Sequence, residues 1–124
     1  MSLRLLVADD HPLIREGLRL SLTDQGFDVV AEAEDGKSAV DLTLEHRPDI
    51  VLMDIGMPEL DGLEATRRIR SRWPDRPIRI IAMTANAMEG DREACLEAGM
   101  DDYVSKPIRP EELATALAAA PSAT

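Results

Sequence analysis

Short runs of apolar residues alternate with longer segments of helical period about five times along the chain, and no other feature limits the possible folds so strongly. Leu3 to Ala8 reads as a buried strand. It is followed by a helix opened by Pro12, a residue suited to a first helical turn, with Ile14, Leu18 and Leu22 four apart on one face and Gly26 as its end. Asp28 to Ala33 predicts a second strand, and Gly36 to His46 a second helix with Asp35 as N-cap and Pro48 blocking its continuation. Ile50 to Met53 is an apolar strand flanked by Asp49 and Asp54, and a third helix is expected from about Leu60 to Arg72, stopped by Pro74. Ile78 to Met83 forms a fourth strand, and the next helix ends at Gly99, a left-handed C-terminal cap. Tyr103 to Ser105 makes a short fifth strand. The last helix starts at Pro110 with Glu111 and Glu112 in its first turn, where the helix dipole favours acids.

Strands that are apolar without alternation must be buried on both faces, and strands separated by helices pair in parallel. The expected architecture is therefore α/β: a five-stranded parallel, doubly wound sheet in a three-layer sandwich, with residues 1–120 as one domain and 121–124 as a terminal tail or the start of a linker. In such sheets functional groups gather beyond the carboxyl ends of the strands.

Charge and composition remove several classes of function. With 14 basic and 24 acidic side chains the net charge is −10, which argues against a direct grip on nucleic acid or on an anionic membrane, since both need a basic face. The run Arg67, Arg68, Arg70 and Arg72 accordingly reads as a solvated helix face. One cysteine, Cys95, forms no internal disulfide and no Cys-based metal cage, so it is expected to be a small packed residue in a reducing compartment. No apolar stretch approaches the roughly 18 residues of a membrane span, and a cytoplasmic setting is expected. The only aromatic residues are Phe27, Trp73 and Tyr103, so the core must be aliphatic.

The residues that follow the strands are Asp9 and Asp10 after the first, Asp54 after the third, Thr84 after the fourth and Lys106 after the fifth. Two like charges about 4 Å apart repel by roughly 4 kcal/mol at an effective dielectric of about 20, so three ionised carboxylates in one cleft need a positive partner. An oxygen-only donor set with open positions suits a hard cation such as Mg2+, and Lys106 supplies a second positive charge. A site of this kind can hold a phosphoryl group: the cation and Lys106 neutralise its oxygens, Thr84 donates a hydrogen bond, and a carboxylate acts as nucleophile toward phosphorus. Asp54 is the best nucleophile, because it ends the central strand and is followed by the turn-forming Gly56, Met57 and Pro58.

These residues carry a family resemblance. Val7-Ala8-Asp9-Asp10, Met53-Asp54-Ile55-Gly56-Met57-Pro58 with Asp61-Gly62, Met83-Thr84-Ala85 and Ser105-Lys106-Pro107 resemble the receiver domain of two-component response regulators, in order and along essentially the whole chain. The resemblance implies the CheY-like, flavodoxin-like form of the fold. It implies Asp54 as phosphoacceptor, Asp9, Asp10, Asp54 and the backbone carbonyl of Gly56 as Mg2+ ligands, Lys106 as the phosphate-binding lysine, and Thr84 and Tyr103 as the switch pair. The implied partner is a histidine kinase or a histidine phosphotransfer protein, with a fused kinase or effector domain as a further expectation. The implied response is a change in the surface made by the fourth helix, fifth strand and fifth helix. The resemblance also implies that the domain catalyses only its own phosphorylation and dephosphorylation. The last two helices would offer a surface for a homodimer, although nothing in the sequence demands one.

Two features individualise the chain. Gly56, two residues after the acceptor, leaves the approach to the phosphoryl group open where receivers often carry a larger side chain, and Asn86, two after Thr84, is the other position that tunes hydrolysis in this family. The first third, through His11-Pro12 and Arg15-Glu16-Gly17-Leu18, is similar to receivers attached to helix-turn-helix DNA-binding domains. The last third, Met83-Thr84-Ala85-Asn86-Ala87-Met88 through Asp101-Asp102-Tyr103, is similar to receivers of hybrid histidine kinases, and as the longer segment it weighs somewhat more.

Competing readings are weaker on specific residues. A Mg2+-dependent phosphohydrolase with an aspartyl-phosphate intermediate is the main alternative, but it wants a second Asp where Gly56 stands. A nucleotide- or flavin-binding domain needs a phosphate loop, and the glycines match neither G-x-G-x-x-G nor G-x-x-x-x-G-K-[ST]. His11, beside the acidic pair, is read as a solvent-facing residue at a helix start in preference to a proton shuttle or a metal ligand.

Overall fold

The structure, a computed structural model, describes residues 3–57, 60–74, 78–84 and 89–105. The expected roles of Asn86 and Lys106, the helix from Pro110 and the tail at 121–124 lie outside the described residues. The chain runs β1 (Arg4–Ala8), α1 (Pro12–Asp24), β2 (Asp28–Ala33), α2 (Gly36–His46), β3 (Ile50–Asp54), α3 (Gly62–Arg72), β4 (Arg79–Thr84), α4 (Glu89–Ala98) and β5 (Asp102–Ser105). All neighbouring strands pair in parallel, in the order β2-β1-β3-β4-β5. This is the flavodoxin-like order of a doubly wound sheet, in which the chain leaves β1 on one side for β2 and returns on the other for β3.

The unbroken apolar strands follow from covering both faces of the sheet. Leu5 and Val7 of β1, Ile50 and Leu52 of β3, and Ile81 and Met83 of β4 pack with Leu18 and Leu22 of α1. The intervening residues, Leu6 and Ala8, Val51 and Met53, Ile80 and Ala82, pack with Ala39 and Val40 of α2, Ala65 and Ile69 of α3, and Cys95 of α4. Alternate side chains thus enter two aliphatic clusters, one on each side. Cys95 is buried in the second of these, as its small size and helical position suggested.

Local chemistry sets most element ends. Asp35 and Asp61 cap α2 and α3 by accepting the amides of Ser38 at 2.7 Å and Glu64 at 2.9 Å. The cap at Asp61 starts α3 at Gly62, two residues later than expected from Leu60. Gly26 and Gly99 take left-handed φ angles of 93° and 104°, the expected helix-ending conformation. Arg47 does the same at φ 50° without being glycine, ahead of Pro48, and its guanidinium lies 5.7 Å from the Trp73 ring centroid. Asp54 and Thr84 are the last residues of β3 and β4, not the first residues after them, because both still join the ladder: Asp54 pairs with Met83 and Thr84 with Ser105.

Candidate functional site

The sheet register brings the acidic residues together. In the β1–β3 pair Ala8 lies opposite Met53, so Asp9 and Asp54 follow side by side where the connections leave in opposite directions. The Asp9 amide donates to the Ala33 carbonyl at 3.0 Å, which continues the β1–β2 pairing one residue beyond the strand. Asp9 is fully buried, Asp54 is 4% exposed and Thr84 2%, whereas Asp10 stands at the rim. One oxygen from each of Asp9, Asp10 and Asp54 and one ring nitrogen of His11 lie within 4.8 Å of one another.

Backbone donors and a neighbouring helix orient these carboxylates. Asp54 Oδ1 accepts the Gly56 amide at 3.0 Å, and Asp9 Oδ1 accepts the His11 amide at 2.8 Å. Arg15 of α1 donates from Nη1 to the Asp9 carbonyl at 2.8 Å, while its Nε lies 3.5 Å from Glu32 of β2. The loop between β3 and α3 is held at two close contacts. A Cβ on Gly62 would meet the Asp54 carbonyl oxygen at 2.3 Å, and one on Gly36 would meet the Leu60 carbonyl oxygen at 1.8 Å. These two glycines let α2 and α3 abut the loop that follows Asp54.

The donor set fits a hard divalent cation. It offers three carboxylates at the carboxyl edge of the sheet, and Asp10 Oδ1 is buried with no hydrogen bond among the described residues. Such a cation would offset the mutual repulsion of the carboxylates. The arrangement thus provides a buried carboxylate, Asp54, beside the acidic pair Asp9 and Asp10, with Thr84 one position beyond the β4 partner of Asp54.

Of the residues singled out in the sequence, Asp9, Asp10 and Asp54 converge, Gly56 contacts Asp54 through its amide, and Thr84 ends the adjacent strand. Tyr103 sits on β5 opposite Ala82, half-buried against the cluster on the α2–α3 side. Sequence reasoning overlooked four contributors. Arg15 enters the sequence reading only within the Arg15-Glu16-Gly17-Leu18 segment, Gly36 only as a helix start, Gly62 only in the Asp61-Gly62 motif, and His11 only as a solvent-facing residue. The His11 ring is 61% exposed, yet Nδ1 turns back to within 3.0 Å of Asp9 Oδ1 and 3.1 Å of Asp10 Oδ1. The available signal was Pro12 at the first helical turn, which places His11 at the N-cap, from where a short side chain can return to the strand end.

Comparison with known proteins agrees with this geometry. The family model described as the response regulator receiver domain matches residues 5–118. Response regulator MprA of Mycolicibacterium vanbaalenii is 47% identical over 113 residues, which cover 91% of this chain and 48% of that protein. The chain therefore spans about half the length of the curated relatives it matches. Among solved structures, a LuxR-family two-component response regulator from Aurantimonas sp. SI85-9A1 superposes with a TM-score of 0.88 at 40% identity, covering 96% of this chain and 84% of that one. The receiver domain of sensor histidine kinase PA1611 from Pseudomonas aeruginosa, which has a magnesium ion coordinated in its active site cleft, gives 0.84 at 41% identity, covering 94% of this chain and 95% of that one. A LuxR-family response regulator and the receiver of a sensor histidine kinase thus both stand among the similar structures. No helix among the described residues is long and apolar enough to cross a membrane.

Proposed function

The chain belongs to the response regulator receiver domain family, a family of signalling domains, and from that premise we propose that it accepts a phosphoryl group on Asp54 from a phosphohistidine of a histidine kinase or histidine phosphotransfer protein. The observation that carries the reading is the burial of Asp54 beside Asp9, the residue just after the neighbouring strand, with Asp10 completing a cluster within 4.8 Å. An Asp54 carboxylate oxygen attacks phosphorus, an O–P bond forms, and the P–N bond to the donor imidazole breaks with its electron pair returning to the ring nitrogen. Asp9, Asp10, Asp54 and the Gly56 carbonyl would hold Mg2+, which supplies charge neutralisation to the phosphoryl oxygens when bound. The Thr84 hydroxyl donates to one of those oxygens, and Lys106, by the family resemblance, would supply a positive charge to another.

The phosphoryl group then draws Thr84 inward, Tyr103 follows, and the surface made by α4, β5 and the helix expected from Pro110 changes. Any output is exerted through a partner or through chain beyond the span shared with the longer relatives. Catalysis is confined to the domain's own phosphorylation and dephosphorylation. Gly56 offers no acid to protonate a leaving alcohol, which argues against phosphomonoester turnover.

Gly56 and Asn86 set the lifetime of the phosphorylated form in this reading. The backbone at Gly56 is not left-handed, and a Cβ there would lie at an ordinary contact distance of 3.8 Å from Asp54 Oδ1. A larger residue is therefore accommodated and flanks the acceptor. Incubation with acetyl phosphate and Mg2+ tests the assignment by intact mass: one phosphoryl group is added to the wild type and none to Asp54→Asn. Absence of addition, or equal addition to the variant, refutes it. Timing the decay in the same samples for larger replacements of Gly56 and Asn86 tests the lifetime assignment, which an unchanged rate rejects.

A further inference from the structure

We propose that His11 is a nitrogen ligand of the acidic cleft, so that Asp9, Asp10, His11 and Asp54 bind a borderline first-row divalent cation of the Ni2+ class in addition to Mg2+. The inference rests on the reading of the cleft as a divalent-cation site. His11 starts α1, but its side chain makes no cap hydrogen bond there. Its Nδ1 points instead to the carboxylates, 3.0 Å from Asp9 Oδ1 and 3.1 Å from Asp10 Oδ1. Metal–ligand bonds of about 2.1 Å place neighbouring donors of an octahedron about 3.0 Å apart and opposite donors about 4.2 Å apart. The two nitrogen–oxygen separations match the neighbouring-donor edge, and all four residues present donors within 4.8 Å, about 0.6 Å beyond the opposite-donor distance, so binding draws the widest pair together.

Two further observations favour ligation over a side-chain hydrogen bond alone. His11 Nδ1 is hydrogen-bonded to Asp9 Oδ1, and 3.1 Å from the same nitrogen Asp10 Oδ1 is buried with no hydrogen bond among the described residues. The ring is also tied to the site through its own backbone, since the His11 amide donates to Asp9 Oδ1 at 2.8 Å, so placing Nδ1 at the cleft costs little additional ordering. Carboxylates alone suit Mg2+, Ca2+ and Mn2+, whereas imidazole suits Ni2+, Cu2+ and Zn2+. His11 therefore widens the choice of cation without belonging to the oxygen set that would serve Mg2+.

Calorimetric titration of the metal-free chain with Ni2+ and, separately, with Mg2+ at one fixed pH and ionic strength tests the proposal on the wild type, His11→Ala, His46→Ala and Asp54→Asn. His46 is the second of the two histidines and serves as the control for surface imidazole. The expected result is that His11→Ala weakens Ni2+ by at least about tenfold, the loss seen for even an outer-shell partner of a metal, with Mg2+ affinity near that of the wild type. His46→Ala should leave both cations unchanged and Asp54→Asn should weaken both. The X-ray absorption spectrum of the Ni2+-loaded wild type should show imidazole ring scattering that His11→Ala lacks. Unchanged Ni2+ affinity in His11→Ala overturns the proposal, as does an equal fall for both cations, which would mean that His11 only arranges the carboxylates. If Mg2+ fails to bind the wild type, or Asp54→Asn leaves both affinities intact, the cation-site reading fails and this inference falls with it.

Discussion

Two glycine-to-alanine substitutions should move stability in opposite directions. Gly17 lies inside α1, is exposed, and a Cβ there would meet nothing within 4 Å. Gly17→Ala should therefore stabilise by the helix-propensity difference of about 1 kcal/mol, much of it from a less flexible unfolded chain. Gly36 begins α2, and a Cβ there would stand 1.8 Å from the Leu60 carbonyl oxygen and 2.6 Å from its carbonyl carbon. Ordinary contact would require a displacement of about 1.5 Å, and both sides are backbone. The loop cannot retreat freely, since its far end is pressed against the Asp54 carbonyl by Gly62. Backbone against backbone at this distance puts the overpacking cost at about 3 kcal/mol, the upper end of the usual range, which less the propensity gain of about 1 kcal/mol leaves Gly36→Ala destabilised by about 2 kcal/mol. For a domain of this size about 1 kcal/mol corresponds to roughly 4 °C, so thermal melts should place Gly17→Ala about 4 °C above and Gly36→Ala about 8 °C below the wild type. Urea titrations on the same proteins give the free energies directly. If Gly36→Ala stabilises as Gly17→Ala does, the close approach of α2 to the loop after Asp54 is wrong.

Arg70 joins α3 to the opposite edge of the sheet, donating to the Gly99 carbonyl at 2.9 Å, the Ile78 carbonyl at 2.5 Å and Asp101 Oδ2 at 2.8 Å. Arg70→Met should cost about 2 kcal/mol in urea unfolding, the value of charged hydrogen bonds discounted for partial exposure, with Arg70→Lys recovering only part of it; a loss below about 0.5 kcal/mol refutes the bridging role. The crowded carboxylates predict that Asp54→Asn is more stable than the wild type in chelator, by about 1 kcal/mol, because one of three like charges is removed. Added Mg2+ should reverse the order, raising the wild type by about 2.7 kcal/mol at a concentration a hundredfold above its Kd and the weaker-binding variant by less. Melts with and without Mg2+ check both halves, and a wild type already the more stable in chelator contradicts the repulsion.

Much of the fold is legible locally. The caps at Asp35 and Asp61, the left-handed ends at Gly26 and Gly99 and the apolar strands each rest on a few adjacent residues. Local pattern does not carry strand ends to the residue, because Asp54 and Thr84 remain in the ladder through partners on other strands. Nor does it show which way the His11 ring turns, or that Gly36 meets Leu60, since those depend on what packs nearby.

The chemistry of the cleft was present in the sequence as residue types: carboxylates after β1 and at the end of β3, and a hydroxyl at the end of β4. Their gathering at one edge followed from the parallel alternation, but which of them stand side by side did not. Asp9 and Asp54 adjoin because β1 pairs with β3 and Ala8 faces Met53, and the Arg15 and His11 contacts exist because α1 returns across that edge. Periodicity reports which surface a residue must bury and caps report where a helix can begin, both short-range matters of sterics and hydrogen bonding. Strand order and register depend on packing all the layers at once, and it is that packing which gathers separately harmless carboxylates into a mutually repelling group suited to a cation.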